Sequence, residues 1–222
     1  MVTQNMMYDA LRYIGLPSGQ VDDDIKQQVQ SVFKNLYVLT KGKITYQRLD
    51  LNKIKDTVYI QGTSCKIRSK DLTKLLAHSN ACIVMAATLG LEVDKQIMRL
   101  QKVSMLDAVI VDACASVLIE QVCDEAEAEI MKTLAPNEYL TMRFSPGYGD
   151  VPLELSGELL EILTAQKRIG LSQTKTHMLV PTKSITAIIG ISNQKENRQK
   201  SCGRCNLVKT CVYRRRGEQC GL

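Results

Sequence analysis

Residues 104–132 read SMLDAVIVDACASVLIEQVCDEAEAEIMK, with neither glycine nor proline, and the next helix breaker is Pro136. Ser104 and Asp107 have the S-x-x-D spacing of a helix start, where a side-chain oxygen accepts from an otherwise unbonded amide. The stretch predicts one helix of about eight turns, the longest in the chain, around which the other elements must be arranged. One feature breaks its pattern. Asp112 is the only charged residue between Ala108 and Ile119, and a carboxylate there is costly unless it is paired or faces a pocket. Ala108, Ala115 and Ser116 share its helical face, leaving room for a ligand or for a closely packed helix.

Upstream, Asp22–Tyr37 places Ile25, Val29, Val32, Phe33 and Leu36 at helical spacing behind three aspartates, which suit the positive end of a helix dipole. Ile44–Leu49 alternates as a strand does, and Thr57–Ile60 is β-rich ahead of Gly62. Leu72, Leu75 and Leu76 mark a short helix starting near Ser69. Ala81–Thr88 is a continuous apolar run closed by Gly90, as expected of a buried strand, and Val93, Ile97 and Leu100 suggest a further helix. Downstream, Glu138–Phe144 reads as a strand leading into the turn residues Ser145–Asp150. A helix near Leu155–Gln166 is stopped by Gly170, and Thr176–Val180 and Ser184–Ser192 read as strands around Pro181. The fold class is α+β, a mixed or antiparallel sheet with flanking helices. The body spans residues 1–193, and residues 194–222 form a small cysteine-rich appendage.

At 222 residues, 45% hydrophobic and 23% charged, the body should fold around its own core without disulfides. The longest purely apolar run, Ala81–Ala87, falls far short of the roughly 18–20 residues that span a bilayer. Met1–Arg12 carries Asp9 and lacks the pattern of a secretory leader, so a soluble cytoplasmic protein with no membrane partner is expected. The net charge of +6 arises wholly in residues 194–222, where eight basic residues face two acidic ones. Such a segment attracts nucleic acid or an acidic partner. Nucleic acid is not expected here, because the body is neutral and Tyr213 is the segment's sole aromatic.

The same segment contains Cys202-x2-Cys205-x5-Cys211-x8-Cys220. Four thiolates so close in sequence are better explained by metal ligation than by disulfides in a cytosolic chain. They suit tetrahedral zinc or an iron–sulfur cluster, and spacing does not choose between them. Lys200, Arg204, Lys209 and Arg214–Arg216 would offset the thiolate charge. The remaining cysteines, Cys65, Cys82, Cys114 and Cys123, lack paired spacing and read as small buried hydrophobes. His78 and His177 have no partner motif and read as structural, so no catalytic residue is assigned. A second signal is Arg143-Phe144-Ser145-Pro146-Gly147-Tyr148-Gly149-Asp150. An arginine at a strand end can grip a ligand carboxylate in bidentate fashion, glycines admit close backbone approach, and Tyr148 offers a flat face with a polar tip; taken alone, the same residues read equally as an ordinary turn with a surface arginine.

Together these segments resemble the activation domain of cobalamin-dependent methionine synthase, especially short stand-alone forms, over most of residues 8–192. The sharpest matches are Arg143–Asp150, which fits the family's R-x-x-x-G-Y segment, and Pro181–Ser192, with Pro181 and Ser184 in its Pro-x-x-Ser segment. The resemblance implies an S-adenosylmethionine site formed by Arg143 for the methionyl carboxylate, Asp112 for the amino group, Ser145, and Tyr148 at the pocket mouth. Asp112 stands where the family has Glu. It further implies an activation component rather than a complete enzyme, supporting reductive methylation of a separate corrinoid protein in methionine synthesis or a related methyl transfer. Cobalamin is then held only by that partner, because the chain has no D-x-H-x-x-G segment. The four-cysteine tail resembles extensions on the stand-alone forms. This favours an iron–sulfur cluster as a local electron source, with a further electron donor as a possible partner. The competing reading is a non-catalytic zinc-binding module contacting a corrinoid protein or nucleic acid. The larger enzyme differs after its Gly-Tyr pair, where this chain continues Gly149-Asp150-Val151-Pro152.

Overall fold

A computed structural model describes residues 2–16, 21–195 and 209. Cys202, Cys205, Cys211 and Cys220 lie outside the described residues, as does nearly all of the expected appendage.

The chain runs α1 (Gln4–Tyr13), α2 (Asp23–Leu39), β1 (Lys43–Ile54), β2 (Thr57–Ile60), β3 (Lys66–Arg68), α3 (Lys70–Leu75), β4 (Ser79–Thr88), α4 (Leu91–Leu100) and α5 (Met105–Lys132). It continues with β5 (Tyr139–Leu140), α6 (Leu155–Ile162), α7 (Ala165–Ile169), β6 (Ser172–Gln173), β7 (Leu179–Val180) and β8 (Ser184–Ser192). Six strands form one antiparallel sheet in the order β3-β2-β1-β4-β8-β5, while β6 and β7 pair separately. The apolar run of β4 is central, bonded to β1 on one side and β8 on the other.

A strand buried on both faces needs apolar residues in succession, and side chains of opposite parity then enter different cores. Ala81, Ile83, Met85 and Ala87 pack with α1, α2, α4 and α5. Cys82, Val84 and Ala86 pack with residues of α3, α6 and α7. Helix α5 begins as its sequence predicts, with the Ser104 hydroxyl accepting from the Asp107 amide at 3.3 Å. The Asp107 carboxylate accepts from Gln28, tying α5 to α2.

Several elements depart from the sequence expectation, and the expected strand over 176–180 is one: only Leu179–Val180 is extended and pairs with β6, because the chain turns before it, with the His177 amide donating to the Thr174 carbonyl at 3.0 Å and His177 at φ 64°. The expected helix over 155–166 breaks at Thr164, which adopts φ 48° between the buried residues Leu163 and Ala165. A β-branched residue enters that region only when its surroundings force it. The expected strand over 138–144 pairs with β8 only at Tyr139–Leu140 and resumes as a single bridge at Phe144. In between, the Thr141 hydroxyl takes the Gly190 amide at 2.8 Å in place of a main-chain carbonyl. The ladder is thus interrupted just where Arg143 turns toward α5. Helix α1, which the sequence reading left unassigned, buries Met6, Ala10 and Leu11 in the α5-side core.

Candidate functional site

Three carboxylates on one stripe of α5 meet a single arginine. Glu120, Asp124 and Glu127 follow the i, i+4, i+7 spacing that places side chains on one helix face. The Arg143 guanidinium reaches Glu120 and Asp124 at 2.8 Å each and also binds Glu127. The arginine is 14% exposed and Glu127 6%, whereas Glu120 and Asp124 are 47% and 63% exposed. The cluster therefore has a fixed inner pair and two outer carboxylates that face solvent. Burial works against the charge on Arg143, but the carboxylates of Glu127, Asp124 and Glu120 more than compensate and hold its pKa above the ordinary arginine value. Beside it, burial pushes the Cys123 thiol up to about 12, which makes it inert rather than nucleophilic.

The turn after Arg143 is closed by its own backbone. Phe144 exchanges two 2.9 Å hydrogen bonds with Ile188. The Tyr148 amide donates to the Ser145 carbonyl at 3.2 Å, and Gly147 and Val151 donate to Val151 and Tyr148 at 3.0 and 3.1 Å. Gly147 and Gly149 take φ 89° and 56°, conformations that glycine adopts without a Cβ penalty. Ser145 is half-buried at the root of this turn, and the Tyr148 side chain stands at its tip, 69% exposed. The Asp150 carboxylate binds the start of α3, accepting from the Ser69 hydroxyl and from the Lys70 amide at 2.7 Å.

Asp112 lies elsewhere. It is eight residues before Glu120 on α5, about 12 Å along the axis. Its carboxylate pairs with Lys183 at 2.8 Å, and Lys183 also donates to Ser116 at 2.9 Å. Asp112 and Ser116 edge a cleft of about 230 Å³ whose wall includes Tyr13, Gln101 and Met105. The structure thus groups Arg143, Ser145 and Tyr148 on one short segment. It does not bring Asp112 to that arginine, so one amino-acid head group cannot span the two. Pro181 and Ser184 form a closed turn, with the Ser184 hydroxyl donating to the Pro181 carbonyl at 2.7 Å. His78 edges a separate cleft of about 150 Å³ beside the Arg48–Glu138 pair, and His177 stands 3.7 Å from Glu154.

The sequence reading missed Glu120, Asp124, Glu127 and Lys183. The stripe of acids was legible as a helical spacing, but nothing local showed that an arginine sixteen or more residues away would fill it. Among the described residues no group of His, Cys, Asp and Glu is arranged to hold a metal ion. Nor is any helix among them long and apolar enough to cross a membrane.

A sequence profile for the activation domain of vitamin B12-dependent methionine synthase matches residues 70–218. A crystal structure of the MetH reactivation domain bound to AdoHcy superposes with a TM-score of 0.63 at 15% identity, covering 98% of this chain and 84% of that one. No curated protein matches.

Proposed function

Because this chain belongs to the activation-domain family of vitamin B12-dependent methionine synthase, we propose that it binds S-adenosylmethionine beside Arg143 and supports reductive methylation of a separate corrinoid protein. The observation that carries this reading is the Arg143 cluster next to the Tyr148 turn. A guanidinium already holding carboxylates of its own chain can hold a ligand's carboxylate in place of the exposed Asp124 or Glu120. Three carboxylates against one guanidinium leave an excess of negative charge for the ligand's ammonium and sulfonium groups. Tyr148 supplies a flat face at the rim, and Ser145 anchors the turn between them. Bound AdoHcy in the structurally similar reactivation domain supports the same ligand class. S-adenosylmethionine, when bound, supplies the methyl group. The residues here bind and orient it. Asp112, paired with Lys183 further along α5, would contact the ligand only at its adenosyl end.

The test is calorimetric titration of S-adenosylmethionine and AdoHcy into the native chain and Arg143→Lys, which keeps the charge but loses the fork geometry. Native binding that favours the sulfonium, weakened about tenfold or more by the substitution, is expected. No binding by the native chain would remove the ligand, and equal binding by both would exclude the arginine.

For the tail, the reading is that Cys202, Cys205, Cys211 and Cys220 ligate one iron–sulfur cluster serving electron delivery to the corrinoid partner. Its support is the four-thiolate spacing within a basic segment. Iron and sulfide analysis after anaerobic purification decides it, and stoichiometric zinc without iron would make the tail a structural clip. Cobalamin remains the partner's cofactor in this reading. Free cobalamin should show no tight binding in a spectral titration, and a stoichiometric complex would contradict the role.

A further inference from the structure

We propose that Asp150 is a positioning residue that fastens the Tyr148 turn to α3 and so holds Tyr148 in place for the ligand. This rests on the ligand reading above. The segment 144–151 is pinned at both ends. At one end Phe144 pairs with Ile188 through both its amide and its carbonyl. At the other the Asp150 carboxylate accepts from the Ser69 hydroxyl, from the Lys70 amide at 2.7 Å and, more weakly, from the Asp71 amide at 3.4 Å.

Ser69 serves both partners, because its hydroxyl also accepts from the Leu72 amide at 2.9 Å. The first turn of α3 is therefore capped jointly by its own serine and by a residue some eighty positions later. Asp71 lies directly against Gly149, whose φ of 56° carries the turn over α3. Tyr148 itself is 69% exposed, so side-chain packing does little to fix it and the backbone of its turn must. Order established before binding spares the ligand the entropy of ordering that turn.

A purely structural cap on α3 would lower stability and leave ligand affinity alone, so the experiment reads both. Native chain, Asp150→Ala and Asp150→Asn are compared by amide hydrogen exchange, by S-adenosylmethionine titration and by thermal midpoint. Expected for Asp150→Ala is exchange at Gly147 and Val151 faster by about tenfold or more, with a dissociation constant raised about tenfold. Exchange in β4 and α5 should be unchanged. Asp150→Asn keeps one acceptor oxygen and should fall between. Native-like exchange at Gly147 and Val151 in Asp150→Ala overturns the fastening whether or not the ligand binds. Faster exchange with unchanged affinity overturns the positioning role. Absence of binding by the native chain instead defeats the ligand reading, and the exchange comparison still decides whether Asp150 fastens the turn.

Discussion

Arg143→Ala removes a mostly buried guanidinium from among three carboxylates, and its cost follows from how each is solvated. Breaking a buried ion pair by deleting one partner costs about 3–5 kcal/mol, since the surviving charge stays in a poor solvent. Exposed pairs contribute only about 0–1 kcal/mol each. Of the three acids only Glu127 is buried, so the loss should sit at the lower bound, about 3 kcal/mol. For a chain of this length each kcal/mol moves the thermal midpoint by about 2–4 °C, which places the variant about 6–12 °C below native. Circular dichroism melts, with urea titrations as a check, measure this directly. Adding Glu127→Gln removes the buried negative charge and should recover about 1–2 kcal/mol through coupling of neighbouring sites. A loss below about 1 kcal/mol, or a double variant no more stable than Arg143→Ala, would refute the assignment of a buried pair. The same numbers explain why ligand titrations are better made on Arg143→Lys than on the alanine variant.

Lys53 donates to the carbonyls of Leu76, Ala77 and Ser79 at 2.6, 3.0 and 2.6 Å, closing the C-terminal end of α3. Lys53→Met keeps the stem and should lower urea stability by about 1.5–3 kcal/mol, and an unchanged midpoint would deny the clamp. The Asp150 carboxyl is held below the usual aspartate range, chiefly by the Ser69 hydroxyl and further by the Lys70 and Asp71 amides. Its contribution is therefore complete above about pH 4 and lost as pH falls through the depressed value. Protection of Gly147 and Val151, taken relative to their intrinsic exchange rates, should fall below about pH 4 in the native chain and show no such step in Asp150→Ala. Burial pushes the thiols of Cys65, Cys82, Cys114 and Cys123 up to about 12. Iodoacetamide at pH 8 should leave all four unlabelled in the folded chain by peptide mass spectrometry, and should label them in urea. Because their folded values lie above the unfolded ones, stability should fall as pH rises from about 8.5 toward 12.

Local chemistry is what the sequence displayed best. The Ser104 start of α5, the apolar run of β4 and the limits of β2 and β8 all follow from hydrogen-bonding capacity and side-chain period. The break at Thr164 does not, because it is imposed by a core into which Leu163 and Ala165 must both point. Helix α1 did carry local signals, since the Thr3 hydroxyl caps it by accepting from the Met6 amide at 3.2 Å and Met6, Ala10 and Leu11 recur at helical spacing, but so short a segment is fixed mainly by its burial against α2 and α5. At the site, the turn from Arg143 to Tyr148 was readable from its glycines and proline. The acid stripe was visible only as spacing, and its partner became evident only once the interrupted ladder at Thr141 aimed Arg143 at α5. Asp112 drew notice as a lone charge in an apolar stretch, yet its partner Lys183 is 71 residues away and carried no local mark.

The two-sided burial of β4 also says something about how the site holds together. The acids that grip Arg143 belong to the helical layer on one face of the sheet, while Asp150 anchors the Tyr148 turn to α3 in the layer on the other face. The candidate ligand position therefore lies across the seam where the layers meet at the short β5–β8 border. Because both cores include side chains of β4 and β8, neither layer can slide past the other without disturbing at least one core, and the shared strands hold the charges and the tyrosine in a fixed relation.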